Sequence, residues 1–169
     1  MNRKFDLVTP RLVLSPLSIE YTDELARVYA DPDVARYIGG ERLTPEVVEQ
    51  QVAAFATEWD ERGFGQSAVI NASSGEFLGR IGLHYWENWD EVELGYILGK
   101  SAQGKGYARE GAQAWIDWAA AAEGLDYIIA NIHPDNAASI RMAGKLGFDF
   151  DRHDMTPSGL PTLIYRRNF

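Results

Sequence analysis

The sequence predicts an α/β domain, a mixed and mostly antiparallel sheet flanked by helices, and three observations carry that prediction. Residues 92–132 read as strand, glycine-spaced loop, helix and strand, the crossover that a parallel strand pair requires. Residues 66–85 read as two strands joined by the turn Ala72-Ser73-Ser74-Gly75, and residues 148–168 as a second hairpin around Pro157-Ser158-Gly159. With 169 residues and 46% hydrophobic content, the chain suits one core and a single domain over residues 1–169.

Each element has its own local cause. Arg11 to Leu14 alternates as a first strand, and Ser18 is placed to cap a helix through about Ala30. Asp31-Pro32-Asp33 starts a short second helix ending near Gly39-Gly40. Thr44-Pro45-Glu46 is a cap, a first-turn proline and an acid; Val48, Val52, Phe55 and Trp59 then recur at helical spacing until Gly63. Gln66 to Asn71 and Phe77 to Tyr85 are strands, and Asn88-Trp89-Asp90 turns the chain into the strand that carries Glu93. Ala108, Ala112, Trp115, Ile116 and Ala119 form the buried stripe of the next helix, stopped by Gly124. Tyr127 to Ile132 is apolar enough to be covered on both faces. Asn136 caps a helix with Ile140, Ala143 and Leu146 facing inward, and Gly147 ends it.

Composition narrows the function classes. A net charge of −9 argues against broad nucleic-acid binding and is compatible with attracting a cationic amine. No apolar run approaches the ~20 residues of a membrane span, and the basic start Met1-Asn2-Arg3-Lys4-Phe5-Asp6 lacks the apolar centre of a signal peptide. Cysteine is absent, which removes disulfides, thiolate metal sites and a cysteine nucleophile. His84, His133 and His153 are too scattered to suggest a metal site. A cytoplasmic protein without metal or membrane association is expected.

The stretch Gly99-Lys100-Ser101-Ala102-Gln103-Gly104-Lys105-Gly106-Tyr107-Ala108-Arg109 carries the clearest chemistry. Its glycines let successive backbone N–H groups turn to one point. The helix opening at Tyr107 adds unpaired N–H groups and the positive end of its dipole, while Lys105 and Arg109 add charge. This is a phosphate cradle. A nucleotide-triphosphate P-loop needs Ser or Thr where Gly106 stands. A dinucleotide fingerprint needs a glycine where Arg109 stands and an acid ending the next strand, whereas Asp126 precedes that strand.

Four motifs in order resemble the GNAT superfamily of acyl-CoA-dependent N-acyltransferases, most closely its ribosomal-protein N-terminal acetyltransferase branch. They are Thr9-Pro10-Arg11-Leu12-Val13-Leu14, Glu93-Leu94-Gly95-Tyr96, Gly104 to Ala108, and Asn136-Ala137-Ala138-Ser139 ahead of Lys145-Leu146-Gly147-Phe148. Ser101 stands where the family commonly has Arg or Gln. The resemblance implies a GNAT fold in which the Glu93 and Tyr127 strands lie parallel and splay apart around the pantetheine arm. It implies acetyl-CoA as co-substrate, held by Ile97, Leu98, Gln103, Gly104, Lys105, Gly106, Tyr107, Ala108, Arg109 and Asn136. The backbone N–H groups near Ile97 and Leu98 would polarise the thioester carbonyl.

For the base that deprotonates the amine, Glu93 is the first choice, with Glu91 and Glu87 as neighbours of equal chemistry. The family's usual thiolate acid, a tyrosine, is replaced by Ala143, and the branch implies Ser139 instead; from spacing alone Ser139 is equally an ordinary helix position and Asn136 an ordinary cap. His84, Tyr85 and Trp86 are candidate acceptor-pocket residues, His84 reading better as a satisfied strand histidine than as a base. Lys100, Arg141 and Lys145 are candidates for the adenosine phosphate. Trp115 and Trp118, three apart on one helix, diverge by about 60°, so one is expected to cover a neighbouring helix or a second subunit in a homodimer. The expected reaction is acetyl transfer to a primary amine, first a protein N-terminal α-amine, alternatively a small-molecule amine. A non-catalytic acyl-CoA sensor is the rival from another class.

Overall fold

The computed structural model describes residues 5–169; the basic Met1-Asn2-Arg3-Lys4 start lies outside them. Eight strands form one sheet in the order β1-β2-β3-β4-β5-β6-β8-β7. They are β1 Leu7–Val8, β2 Leu12–Pro16, β3 Gln66–Asn71, β4 Phe77–Trp86, β5 Glu91–Leu98, β6 Tyr127–Ile132, β7 Asp149–Met155 and β8 Pro161–Asn168. The helices are α1 Thr22–Tyr29, α2 Pro32–Ala35, α3 Pro45–Arg62, α4 Tyr107–Ala121 and α5 Ala137–Lys145. Every neighbouring pair is antiparallel except β5–β6, so the mixed, mostly antiparallel sheet is present as expected.

Several boundaries differ from the sequence reading, each for a local reason. Ser18 makes no side-chain cap; a 3-10 turn over Ile19–Tyr21 intervenes before α1. The second helix stops at Ala35, although Asp31 caps it as expected by accepting from the Asp33 N–H, and a further 3-10 turn occupies Gly40–Arg42. Thr44 caps α3 through the Val47 N–H, and Gly63 ends it in the left-handed region with φ 73°.

The sheet buries both faces. Against one, α4 lays Ala112, Trp115, Ile116 and Ala119 on Leu12, Leu14, Ile81, Leu83 and Leu94. Gly111 lets this helix lie close, since a Cβ there would come within 2.7 Å of the Ile81 side chain. Against the other, α1 and α3 place Leu25, Tyr29, Val48, Val52 and Phe55 over Leu17 and Ala68. The Trp115 ring lies 5.6 Å from Phe5, 5.8 Å from Trp59 and 5.4 Å from Trp118, and Trp118 also meets Phe64 at 6.1 Å. Trp115 is thus fully buried within the chain, whereas Trp118 packs against its ring and keeps partial exposure. Among the described residues, no helix is long and apolar enough to cross a membrane.

The parallel pair is held at one place. Glu93 registers with Ile129, and no other residues of β5 and β6 do. At the start of both strands, Arg152 from β7 bonds the buried Glu91 carboxylate at 2.6 Å while Tyr127 donates to it at 3.1 Å. Asp151 and Asp154 hold the other edges of the same guanidinium at 2.8 and 2.9 Å. Replacing Arg152 with Met leaves Glu91 buried with one phenol. This substitution should lower unfolding stability by about 2 kcal/mol, measurable by urea denaturation; an unchanged midpoint would mean that the hairpin pins nothing.

Candidate active site

The strand β5 alternates its side chains across the sheet, so Glu93, Gly95 and Ile97 face α1 and α3 while Leu94, Tyr96 and Leu98 face α4 and α5. This sorts the candidate groups onto two sides of one strand. Glu93, where β5 and β6 part, takes a hydrogen bond from the Trp86 indole N–H at 2.5 Å. It is partly exposed, yet the surrounding protein removes enough water to raise its carboxyl above the ordinary glutamate range; Trp86, His84, Arg80 and the Asn131 N–H offset that only in part. Trp86 is itself flanked by His84 at 4.9 Å and Trp89 at 5.2 Å between ring centres. Glu91 is instead consumed by Arg152 and Tyr127.

On the other side of β5, the Tyr96 hydroxyl reaches α5. Its oxygen lies 2.9 Å from Ser139 Oγ and 3.2 Å from the Ser139 carbonyl. Burial raises the Tyr96 phenol above its ordinary range, so it remains protonated. Tyr96 was not singled out for chemistry from sequence, although it ends the Glu-Leu-Gly-Tyr motif; a 43-residue separation hides its partner. Asn136 caps α5 by accepting the Ser139 N–H at 3.2 Å, which uses its oxygen and leaves its amide NH₂ as a donor. Ala143 is buried in the core beneath α5.

The loop between β5 and α4 carries the two glycines read from sequence as a cradle. Gly104 (φ 74°) and Gly106 (φ 83°) are left-handed, and no side chain caps the start of α4 at Gly106. Gln103 folds back, its amide donating to the Leu98 carbonyl at 3.0 Å. An unforeseen clamp comes from the turn just ahead of β2. Arg11 donates to the Lys105 carbonyl at 2.9 Å, pairs with Glu110 at 2.7 Å and lies 4.5 Å over the Tyr107 ring. Thr9 Oγ1 donates to the same Glu110 at 2.6 Å. Lys105 and Arg109 are exposed, Tyr107 and Ala108 half-buried. Lys100 pairs with Asp33 at 2.6 Å instead of pointing freely toward a ligand. Ile97 and Leu98 register with Arg80 and Gly79; a Cβ on Gly79 would collide with the Ile97 carbonyl oxygen, so glycine there permits the close approach of the two strands.

His84 is a paired strand histidine, its Nδ1 2.9 Å from the buried Glu58 carboxylate that also accepts the Tyr85 N–H at 2.7 Å. Tyr85 points its hydroxyl to Asp90 at 2.6 Å, away from Glu93. His133 lies tilted against Tyr37 and His153 meets Phe150 edge-on, and among the described residues no three His, Asp or Glu side chains gather as a metal site.

The Acetyltransferase (GNAT) domain model matches residues 11–149. The chain belongs to this family. It is an N-acetyltransferase, and acetyl-CoA is the co-substrate that the family's fold uses. A full-length relative is the uncharacterized protein YkkB of Bacillus subtilis, 33% identical with 99% of this chain and 98% of that protein covered. Among solved structures, an acetyltransferase from Agrobacterium tumefaciens matches with a TM-score of 0.86 at 28% identity, covering 98% of this chain and 95% of that one. The Salmonella typhimurium enzyme that modifies the N-terminal serine of ribosomal protein L7/L12 shares the fold at a TM-score of 0.81 and 14% identity, with 98% and 99% covered. The GNAT acetyltransferases thus extend the resemblance read from the four sequence motifs.

The raised Glu93 carboxyl has a stability consequence whose sign is fixed. An acid with a higher pKa in the folded than in the unfolded chain stabilises the fold below its unfolded pKa, and that advantage is lost as pH rises through the folded value. The melting temperature of Glu93→Gln minus that of the wild type should therefore grow more positive between pH 4 and about pH 8, read by thermal denaturation. A constant difference would mean that Glu93 titrates as it does in water.

Proposed function

We propose that the protein, over residues 1–169 as a single domain, transfers the acetyl group of acetyl-CoA directly to a primary amine, first of all the N-terminal α-amine of a protein. The observation that carries this reading is the placement of Glu93 and Ser139 on opposite sides of β5 where β5 and β6 part. Glu93, directly or through a water, takes a proton from the ammonium. The freed nitrogen attacks the thioester carbon, the C–N bond forms, and the C–S bond breaks. The β5 backbone at Ile97 and Leu98 stabilises the carbonyl oxygen as it gains charge. Ser139, its oxygen held by Tyr96, hydrogen-bonds the departing sulfur, and the sulfur takes up the second proton, which the nitrogen sheds as the amide forms.

The pyrophosphate fits the residues present, because α4 opens without a side-chain cap behind two left-handed glycines. Gln103, Gly104, Lys105, Gly106, Tyr107, Ala108 and Arg109 would hold it, and the Asn136 amide would meet the arm. An α-amine suits this machinery, since its reference pKa near ~7.7–8.0 leaves less work for a carboxylate than the ~10.4 of a lysine. The sensor reading draws on Ala143, but the hydroxyl pair Tyr96–Ser139 occupies the missing tyrosine's role, so catalysis is favoured. A cytoplasmic setting is part of the proposal. The expected homodimer rests on the divergence of Trp115 and Trp118, of which Trp118 keeps partial exposure; sedimentation at micromolar concentration measures it directly.

Thiol release with a panel of amines and peptides tests the reaction. Glu93→Gln should lower kcat by roughly 10²–10⁴-fold with an alkyl amine, with acetyl-CoA affinity unchanged and the deficit shrinking as rising pH supplies neutral amine. Ser139→Ala should show a smaller deficit that rising pH does not rescue. Wild-type turnover by Glu93→Gln at neutral pH would remove it as the base.

The cradle is tested separately. Gly106→Val forces a branched side chain into the left-handed region, at about 1–2 kcal/mol, and toward Arg11 Nη2, 3.2 Å from its Cβ. CoA affinity by calorimetry should fall by at least about tenfold; an unchanged value in a folded variant would reject the loop as the pyrophosphate site.

A further inference from the structure

Over Gly95, on the α1 and α3 side of the sheet, three polar groups converge on one small space. An ideal Cβ on Gly95 would lie 3.4 Å from Gln66 Nε2, 3.6 Å from Arg80 Nη1 and 3.9 Å from Glu93 Oε1. Glycine keeps that space open, and Gly95, Arg80 and Glu93 all retain partial exposure while Gln66 and Tyr29 are buried behind them.

Arg80 is held in a fixed pose by neutral partners. Its Nε donates to the Tyr29 hydroxyl at 2.5 Å and its Nη1 to Gln66 Oε1 at 2.8 Å; Tyr29 in turn donates to Gln51 at 2.9 Å. Phe55 lies 5.2 Å below the guanidinium. Among the described residues, no carboxylate forms an ion pair with it. Glu93 acts on it at longer range without meeting it as a pair. A guanidinium has five N–H donors in a planar fork, and the two neutral bonds leave the remainder for a bidentate anion. Gln66, whose oxygen Arg80 engages, has its Nε2 donor aimed at the same space.

The niche thus holds one anion and one cation side by side and unpaired, the complement of a compact zwitterion. We infer that the acceptor is an α-amine bearing a carboxylate a few bonds away, its ammonium directed to Glu93 and its carboxylate to Arg80 and Gln66 Nε2. This rests on the reading of Glu93 as the base. That chemistry is supplied by a free α-amino acid or by a peptide whose first residue is acidic.

The experiment compares matched acceptors with acetyl-CoA: free α-amino acids against their α-amides, and peptide amides beginning with Asp against the same peptides beginning with Asn. In the pair whose source is correct, the carboxylate member should be favoured roughly 10–100-fold in kcat/KM. Arg80→Met should bring the two members within about twofold at an unchanged KM for acetyl-CoA, and Arg80→Lys should keep part of the preference. Equal rates within both wild-type pairs overturn the inference, as does a preference that survives Arg80→Met; if Arg80→Met does not fold, the wild-type pairs and Arg80→Lys decide. Should no amine release thiol, the catalytic reading fails. Calorimetry of N-acetylated amino acids against their amides on the CoA-bound protein then judges the subsite alone, tighter binding of the acid supporting it and equal binding overturning it.

Discussion

Two parallel strands that begin together and then separate are the constraint on which this molecule depends. Parallel strands normally exchange hydrogen bonds along their length, but β5 and β6 keep register only at Glu93 and Ile129. Their starting ends are fastened by groups from three directions: Glu91 in β5, Tyr127 in β6 and Arg152 from the terminal hairpin. A carboxylate buried at that junction needs its cation and phenol partners, so the fastening also places the C-terminal hairpin beside the site. The parted strands then offer two faces of one strand to chemistry, Glu93 on one and Tyr96 with Ser139 on the other.

The same arrangement separates the demands on the two groups proposed for catalysis. A base must sit where water is scarce enough to hold its proton affinity up, and the environment of Glu93 beneath Trp86 meets that demand. A group serving the departing sulfur needs a donor whose orientation is set by neighbours. Ser139 has its N–H taken by Asn136 and its hydroxyl joined to Tyr96, so the cap and the hydroxyl pair fix one short helix start. The cap uses the oxygen of Asn136, and the cofactor contact proposed for it would use the amide NH₂ of the same side chain.

Much of the architecture was legible because its causes are local. Thr44-Pro45-Glu46 caps its helix in the structure, Gly63 ends it left-handed, and the apolar run Tyr127 to Ile132 is buried on both faces. The glycine loop was legible for the same reason, since backbone freedom and helix-start charge are written in adjacent residues. Ser18 misled because a cap residue type does not fix the turn that follows it, here a 3-10 turn. What the sequence hid is long-range pairing. Arg80 carries no signal of its own in the sequence until Tyr29 and Gln66 are brought beside it, and Tyr96 reads as a motif aromatic until α5 crosses it. Glu91 and Glu93, indistinguishable by spacing, are separated only by Arg152, which lies 61 residues beyond Glu91.

The Arg11 clamp has a consequence for the order in which the protein matures. Thr9 and Arg11 contact Glu110 across about a hundred residues of chain, and Arg11 also holds the Lys105 carbonyl that shapes the loop. Such distant contacts carry a large loop-closure cost and tend to form late. During synthesis, Arg11 must wait for the whole of β3 to β5 before its guanidinium finds that loop. The loop therefore takes its shape only with the docking of the turn between β1 and β2, and any ligand that occupied the loop would feed back, by mass action, on how firmly the beginning of the chain stays attached.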